Sequence, residues 1–336
     1  PEGARFAMTT QTRGAVTTHR SPSPESKFLY WGARATLRQF YRVWPMTDAA
    51  IRGLAVVEDG VTRLPLPDGV RHEQQSLGGV PSVVMSPESD DDEPDDGETL
   101  RETTVLYLHG GGFIFGGPGT HQHLCSSLAL RLNVPVHAVR YRKLPEGGAG
   151  TAVEDSYAAY RALAEQLPGG PRIVVAGDSA GGYLAAKMCE LAALDGIRSP
   201  DALVAYSPLL DLNGEARDGA WQTRDAYQPA STVRRAQKLW DRGPHPLRGS
   251  RSLVQLDPAI FPPTFMTAAA GELLEPDILA LTASLEAAGQ TVETHRWYTA
   301  VHAFPVLDSL TPESRRAGEL TADFLRRTLA GPDAAA

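Results

Sequence analysis

The sequence predicts an α/β protein: a mostly parallel central sheet with helices on both faces, joined by a helical cap. Three observations predict it. From Thr103 onward, short β-branched or apolar runs alternate with stretches of helical length and periodicity, the pattern of strands laid side by side and covered on both faces. Hydrophobic residues make up 42% of the 336 residues, ample for a core between such layers. Two aromatic-rich segments, 25–53 and 213–255, stand outside the alternation.

Residues 1–24 are polar and rich in Thr, Ser and Pro, and read as a disordered tail. Met8 reads as the native start, with Pro1–Ala7 a remnant ahead of it, and no apolar h-region marks a signal peptide. Residues 25–53 carry Phe28, Tyr30, Trp31, Leu37, Phe40, Tyr41 and Trp44 at roughly helical spacing, ending at Pro45. A second short helix is expected over Asp48–Val56. Core packing explains this stripe, and so does a cap over a pocket.

Strands are expected at Val80–Met85, Thr103–Leu108, Pro135–Tyr141, Arg172–Ala176, Ala202–Tyr206, Pro263–Ala268 and Thr291–Trp297. Helices are expected at His121–Leu132, Thr151–Gln166, Ala180–Leu194, Pro276–Ala288 and Pro312–Leu329. The acidic run Ser89–Glu98 reads as a solvated hairpin loop rather than a metal site. Asn213–Gln255 is too long for a mere connection; it holds Trp221, Tyr227, Trp240 and a helical piece over Thr232–Trp240. The division is therefore 1–24 and 331–336 as disordered ends, 25–70 as N-terminal cap helices, 71–212 and 256–330 as the two parts of the core, and 213–255 as a cap insertion.

The formal charge of -8 and the absence of a basic patch exclude a nucleic-acid partner. No apolar run is long enough for a transmembrane segment. Cys125 and Cys189 lie in apolar helical patterns without Cys-x-x-Cys spacing, and read as buried thiols. A cytoplasmic location fits them.

Gly177-Asp178-Ser179-Ala180-Gly181 matches Gly-x-Ser-x-Gly, directly after the strand Ile173–Ala176 and directly before a helix. That context is what gives the motif meaning: a tight strand-to-helix turn points Ser179 outward and leaves the Ala180 N–H free for an oxyanion. A serine hydroxyl needs a base, and His302 lies downstream in the loop after the strand Thr291–Trp297. The other downstream histidines, His245 and His295, fall in the excursion and inside a strand. His109-Gly110-Gly111-Gly112 follows the strand ending at Leu108. Consecutive glycines there let the N–H groups of Gly111 and Gly112 approach a ligand, completing an oxyanion hole opposite Ala180, with His109 and Asp178 in support.

These residues resemble the hormone-sensitive-lipase-like α/β-hydrolases, the bacterial family IV esterases. The resemblance covers the chain from about residue 70 and rests on five motifs. They are His109-Gly110-Gly111-Gly112-Phe113, Tyr141-Arg142 with Leu144-Pro145-Glu146, Gly177–Gly182, Ser207-Pro208-Leu209-Leu210-Asp211-Leu212 and Val301-His302-Ala303-Phe304. It implies the α/β-hydrolase fold, a cap built from the N-terminal segment and the insertion, and a Ser-His-acid triad. Most members carry Asp-Pro-Leu and a further Asp at the acid position, and this chain departs from that with Gly271-Glu272-Leu273-Leu274-Glu275-Pro276-Asp277. Glu272 takes the acid's place, 30 positions before His302; Asp277 and Glu275 are the alternatives.

The function expected is hydrolysis of carboxylic esters through an acyl-enzyme, without metal or organic cofactor. The aromatic cap suggests a bulky or apolar small-molecule ester, and a homodimer is allowed. An acyltransferase, or a biosynthetic lyase or cyclase, would show the same motifs. A non-catalytic receptor of this fold would be expected to have lost its histidine.

Overall fold

A computed structural model describes residues 10–63, 65–88, 100, 102–166, 171–214 and 224–329. The acidic run Ser89–Glu98, Trp221, and the outermost parts of both expected disordered ends lie outside the described residues. In chain order the elements are β1 (Thr10–Arg13), β2 (Val16–His19), α1 (Pro24–Ala35), α2 (Leu37–Val43), α3 (Asp48–Gly53), α4 (Ala55–Thr62), β3 (Val70–Leu77) and β4 (Val80–Pro87). There follow β5 (Thr103–Leu108), α5 (Gln122–Leu132), β6 (Val136–Val139), α6 (Ala149–Gln166), β7 (Arg172–Asp178), α7 (Ala180–Asp195) and β8 (Ala202–Tyr206). The last are α8 (Ala230–Gln237), β9 (Thr264–Ala269), α9 (Glu275–Ala287), β10 (Val292–Trp297) and α10 (Pro312–Leu329).

Among the described residues the strands form one sheet in the order β1-β2-β10-β9-β8-β7-β5-β6-β4-β3. From β2 through β6 every neighbouring pair is parallel. The outer pairs β1–β2, β4–β6 and β3–β4 are antiparallel. All six residues of β5, β8 and β9 are buried or, in the five-residue β8, all five, as expected of parallel strands covered on both faces. One face packs on α6, α7 and α9, the other on α5 and α10. α7 is buried from Ala180 to Ala192, so its alanines and glycines let it lie close on the sheet. Cys125 and Cys189 are free, buried thiols.

One expectation needs correction, and one strand went unpredicted. Residues 10–19, expected within a disordered tail, form β1 and β2. Val16–His19 pairs with Thr294–Trp297 of β10, and the His19 ring stacks on Trp297 with centroids 4.2 Å apart. A polar edge hairpin has no hydrophobic signature of its own; its partner is nearly 280 residues away in sequence. The strand β3 was not foreseen either, because its interior is polar and exposed and its buried residues are at its ends. The two ends of the excursion 213–255 meet: Leu253 is fully buried and its N–H bonds Leu210 O at 2.8 Å.

The aromatic stripe does not bury as a unit. Tyr30 is buried, but Phe28 is 78% exposed and Trp31 62%. α2 meets α8: Thr232 Oγ1 donates to Tyr41 O at 2.8 Å, and Arg235 donates to the carbonyls of Tyr41, Arg42 and Trp44. α2 and α8 are thus tied together through the carbonyls at the end of α2.

Deleting residues 1–20 should uncover the edge of β10 and the face of Trp297. The expected result is a melting temperature lower by about 3 °C or more, measured by circular dichroism; an unchanged melting temperature would show that the hairpin adds nothing.

Candidate active site

The strand-to-helix turn between β7 and α7 is set by space. A Cβ on Gly177 would lie 2.4 Å from Gly181 O, and one on Gly181 would lie 1.9 Å from Leu108 O. Only glycine allows α7 to start this close to β5. Between them Ser179 has φ 50° and ψ -118°, a conformation costly for an L-residue and held only because its surroundings enforce it. Its N–H donates to Tyr206 O, and its carbonyl accepts from Leu209 N–H, both at 2.9 Å. Ala180 is the first residue of α7, so its N–H has no intrahelical acceptor.

His302 lies in the loop after β10 and is 3% exposed. Its Nδ1 is 2.7 Å from Glu272 Oε2, and the other oxygen of Glu272 accepts from Ala269 N–H at 2.9 Å. A carboxylate on Nδ1 puts the proton there and leaves a lone pair on Nε2. Nε2 is buried without a hydrogen-bond partner among the described residues. Burial alone would lower the pKa of His302, but the hydrogen bond and charge of Glu272 outweigh it and raise the pKa above 6.5. Burial raises the Glu272 carboxyl, against the pull of His302. The His302 loop is held by Ala303 N–H on Ser207 Oγ at 3.1 Å and by Tyr227 O–H on His302 O at 3.0 Å.

Of the three candidate acids, Glu272 alone is paired with His302. Glu275 faces Arg296 and accepts from Gly271 N–H at 2.7 Å. Asp277 is buried in the first turn of α9, where the positive end of the helix favours a carboxylate.

The glycine loop after β5 is anchored beneath Ser179. Asp178 Oδ1 accepts from Gly110 N–H at 2.9 Å and Tyr107 O–H at 2.8 Å, and lies 3.1 Å from His121 Nε2. Burial works against both charges. The His121 charge and the donors around the carboxylate still hold Asp178 below 3.8, and Asp178 raises His121 above 6.5. His109 is instead driven well below 6.5 by burial and by the nearby charge of His121, so it stays neutral. The Tyr141 ring stacks on His109 at 4.1 Å, and its hydroxyl donates to His109 O at 2.6 Å. Gly111 has φ 108°, and a Cβ there would lie 2.0 Å from Phe115 O. Gly112 O accepts from Trp240 Nε1 at 3.0 Å. Gly116, further along the loop, donates to Glu58 Oε1 at 2.7 Å, and Glu58 also pairs with Lys143. The excursion, through Trp240, and α4, through Glu58, therefore both bond the loop that follows β5.

Sequence reasoning missed His121, Glu58 and Asp225, whose buried carboxylate lies beside Glu272 and His302. None sits in a local motif; each comes to the site only through the fold.

Comparison with known proteins shows the family. The α/β-hydrolase-fold family matches residues 105–306. The chain is 35% identical over 227 residues to an acetyl-hydrolase of Streptomyces hygroscopicus, covering 66% of this chain and 75% of that protein. It is 33% identical over 232 residues to the carboxylesterase/phospholipase LipF of Mycobacterium tuberculosis, covering 66% of this chain and 61% of LipF. A crystal structure of an esterase from the bacterial hormone-sensitive lipase family superposes with a TM-score of 0.74 at 28% identity, over 92% of this chain and all of that one (100%). This chain belongs to the hormone-sensitive-lipase-like α/β-hydrolases.

The remaining motifs of this hydrolase gain physical roles. Tyr141 braces His109, and the neighbouring Arg142 holds Asp155 through Nε and Nη2 at 2.9 and 2.7 Å. Leu144 N–H bonds Phe113 O at 2.8 Å. Ser207 holds the His302 loop, and Pro208 packs against Gly182 of the elbow, where a Cβ would be 2.7 Å away.

Replacing Asp178 tests the anchor. Asp178→Asn should cost up to about 3–5 kcal/mol, the usual result of removing one partner of a buried pair. The depressed pKa of Asp178 gives stability present above 3.8 and lost as pH falls through the depressed value. Urea unfolding from pH 7 to pH 2 should therefore show less acid destabilisation in the variant than in wild type; parallel curves would refute it.

Proposed function

We propose that this hydrolase cleaves small-molecule carboxylic esters through an acyl-enzyme on Ser179. One observation carries the reading: buried His302 holds Glu272 on Nδ1 and keeps Nε2 unpartnered, on the fold that bears the Ser179 elbow. In the first half-reaction Nε2 takes the Ser179 proton as Oγ attacks the acyl carbon. The C–O bond to the leaving alkoxide breaks, and the imidazolium gives its proton to that oxygen. Water, deprotonated by the same nitrogen, then attacks the acyl carbon; the bond to Ser179 Oγ breaks, the imidazolium returns its proton to Oγ, and the acid leaves. The N–H groups of Gly111, Gly112 and Ala180 face the developing oxyanion, and Glu272 stabilises the imidazolium. His109 and Asp178 hold the glycine loop without touching substrate.

The names of the similar proteins support acyl esters as the substrate class, since one is an acetyl-hydrolase and another a carboxylesterase/phospholipase. We assign α1–α4 with residues 224–249 as a cap, because Trp240 and Glu58 bond the loop that bears Gly111 and Gly112. Trp240 is 2% exposed and braces that loop, so its role is support as much as substrate contact.

Ser179→Ala should lower turnover of p-nitrophenyl acetate by on the order of 10⁴- to 10⁶-fold, with the fold retained. Activity within tenfold of wild type would sink the assignment. Glu272→Gln should lower kcat by on the order of 10²- to 10⁴-fold, while Asp277→Asn should change the melting temperature more than kcat. Equal losses of kcat in both would reject Glu272 as the acid.

The raised pKa of His302 sets the pH dependence. The base must be neutral, so kcat/KM should fall as pH drops through a value above 6.5. A profile flat from pH 8 to pH 5 would contradict the role of His302.

A further inference from the structure

Asp225, in the segment assigned to the cap, lies beside the Glu272–His302 pair and is 2% exposed. Its carboxylate bends the chain back on itself: Oδ1 accepts from Tyr227 N–H at 3.0 Å and Gln228 N–H at 2.8 Å. Oδ2 reaches across to Leu273 N–H at 3.2 Å, the residue next to Glu272. One atom each from Asp225, Glu272 and His302 lie within 4.8 Å of one another. The backbone of the same segment is tied to the N-terminal helices. Asp225 O accepts from Arg38 Nη1 at 2.7 Å and Arg34 Nη1 at 3.4 Å, and Arg224 O accepts from Tyr30 O–H at 2.5 Å.

We propose that Asp225 is a positioning residue for the triad. It fixes the Glu272–Leu273 turn through Leu273 N–H, and it places a second negative charge behind the imidazolium formed when Ser179 attacks. The proposal rests on the ester-hydrolase reading above and names a fourth group that reading needs.

The physical case is one of balance. Two carboxylates this close would repel each other in a buried site unless something compensated them. The three backbone N–H groups hold the Asp225 carboxylate without neutralising it. The cation that both carboxylates can share is protonated His302, so the pair favours the charged imidazole of the transition state over the neutral one of the resting enzyme. Other charges and titratable groups face His302 from neighbouring elements. Asp178 adds to the effect from the elbow. Tyr227 lies with its ring 5.9 Å from His302 and stays un-ionised because burial raises its pKa. The guanidinium groups of Arg34 and Arg38 sit at the Asp225 carbonyl and oppose it in part.

The test uses Asp225→Asn and Asp225→Ser in the full chain, two neutral side chains that can still accept from Tyr227 or Gln228 N–H. The acid limb of kcat/KM for p-nitrophenyl acetate should move to lower pH by about one unit, the shift typical of losing one charge at 4–6 Å. At its plateau kcat should fall roughly tenfold with KM unchanged. A lower kcat or melting temperature without movement of the limb would mean a structural role and overturn the proposal. So would failure of both variants to fold. The titration of the His302 ring, followed by NMR and assigned with His302→Gln, must show the same downward shift without any substrate. A wild-type chain that cleaves no ester would defeat the functional reading, while this titration would still decide the role of Asp225.

Discussion

One carboxylate oxygen organises the centre of this molecule. Asp178 Oδ1 gathers the hydroxyl of Tyr107, the N–H of Gly110 and the ring of His121. These groups come from the body of β5, the loop after it and the start of α5. An unpaired carboxylate at 3% exposure would be prohibitive. Asp178 is tolerable only when all its partners are in place, so the elbow, the glycine loop and the entry to α5 must form together. The strained backbone of Ser179 is held from the β8 side, by Tyr206 O and Leu209 N–H.

A second set of buried charges sits on the other side of Ser179. Glu272, Asp225 and His302 are drawn from the loop after β9, the segment before α8 and the loop after β10. The sheet order explains how they meet. β8, β9 and β10 are consecutive parallel neighbours, so the loops at their C-terminal ends emerge side by side. This is where parallel sheets carry their ligand sites. Backbone N–H groups and the Ser207 hydroxyl do most of the orienting, which keeps these side chains in place without further charges.

The N-terminal helices join both charge clusters. Glu58 reaches the glycine loop through Gly116 and Lys143, and Tyr30, Arg34 and Arg38 hold the carbonyls of Arg224 and Asp225. Displacement of these helices would thus be felt at the glycine loop and at the Glu272–His302 pair together. Their outer face keeps Phe28 and Trp31 in solvent, so their hold on the core is through polar groups and a few buried side chains rather than a continuous apolar stripe.

The parallel strands were legible because burial on both faces demands uninterrupted apolar runs, as in Thr103–Leu108 and Ala202–Tyr206. The elbow was legible because crowding at Gly177 and Gly181 excludes every other residue. His302 could be named because so few histidines follow Ser179. The choice among Glu272, Glu275 and Asp277 was open in the sequence, where three carboxylates within six residues look alike. In the structure the turn after β9 sends one to His302, one to Arg296 and one into α9. The edge strands β1 and β3 and the buried partners His121 and Asp225 left no local signal. Their stabilisation comes from contacts distant in sequence, and a polar residue whose partner lies a hundred positions away reads, in one dimension, like any residue facing water.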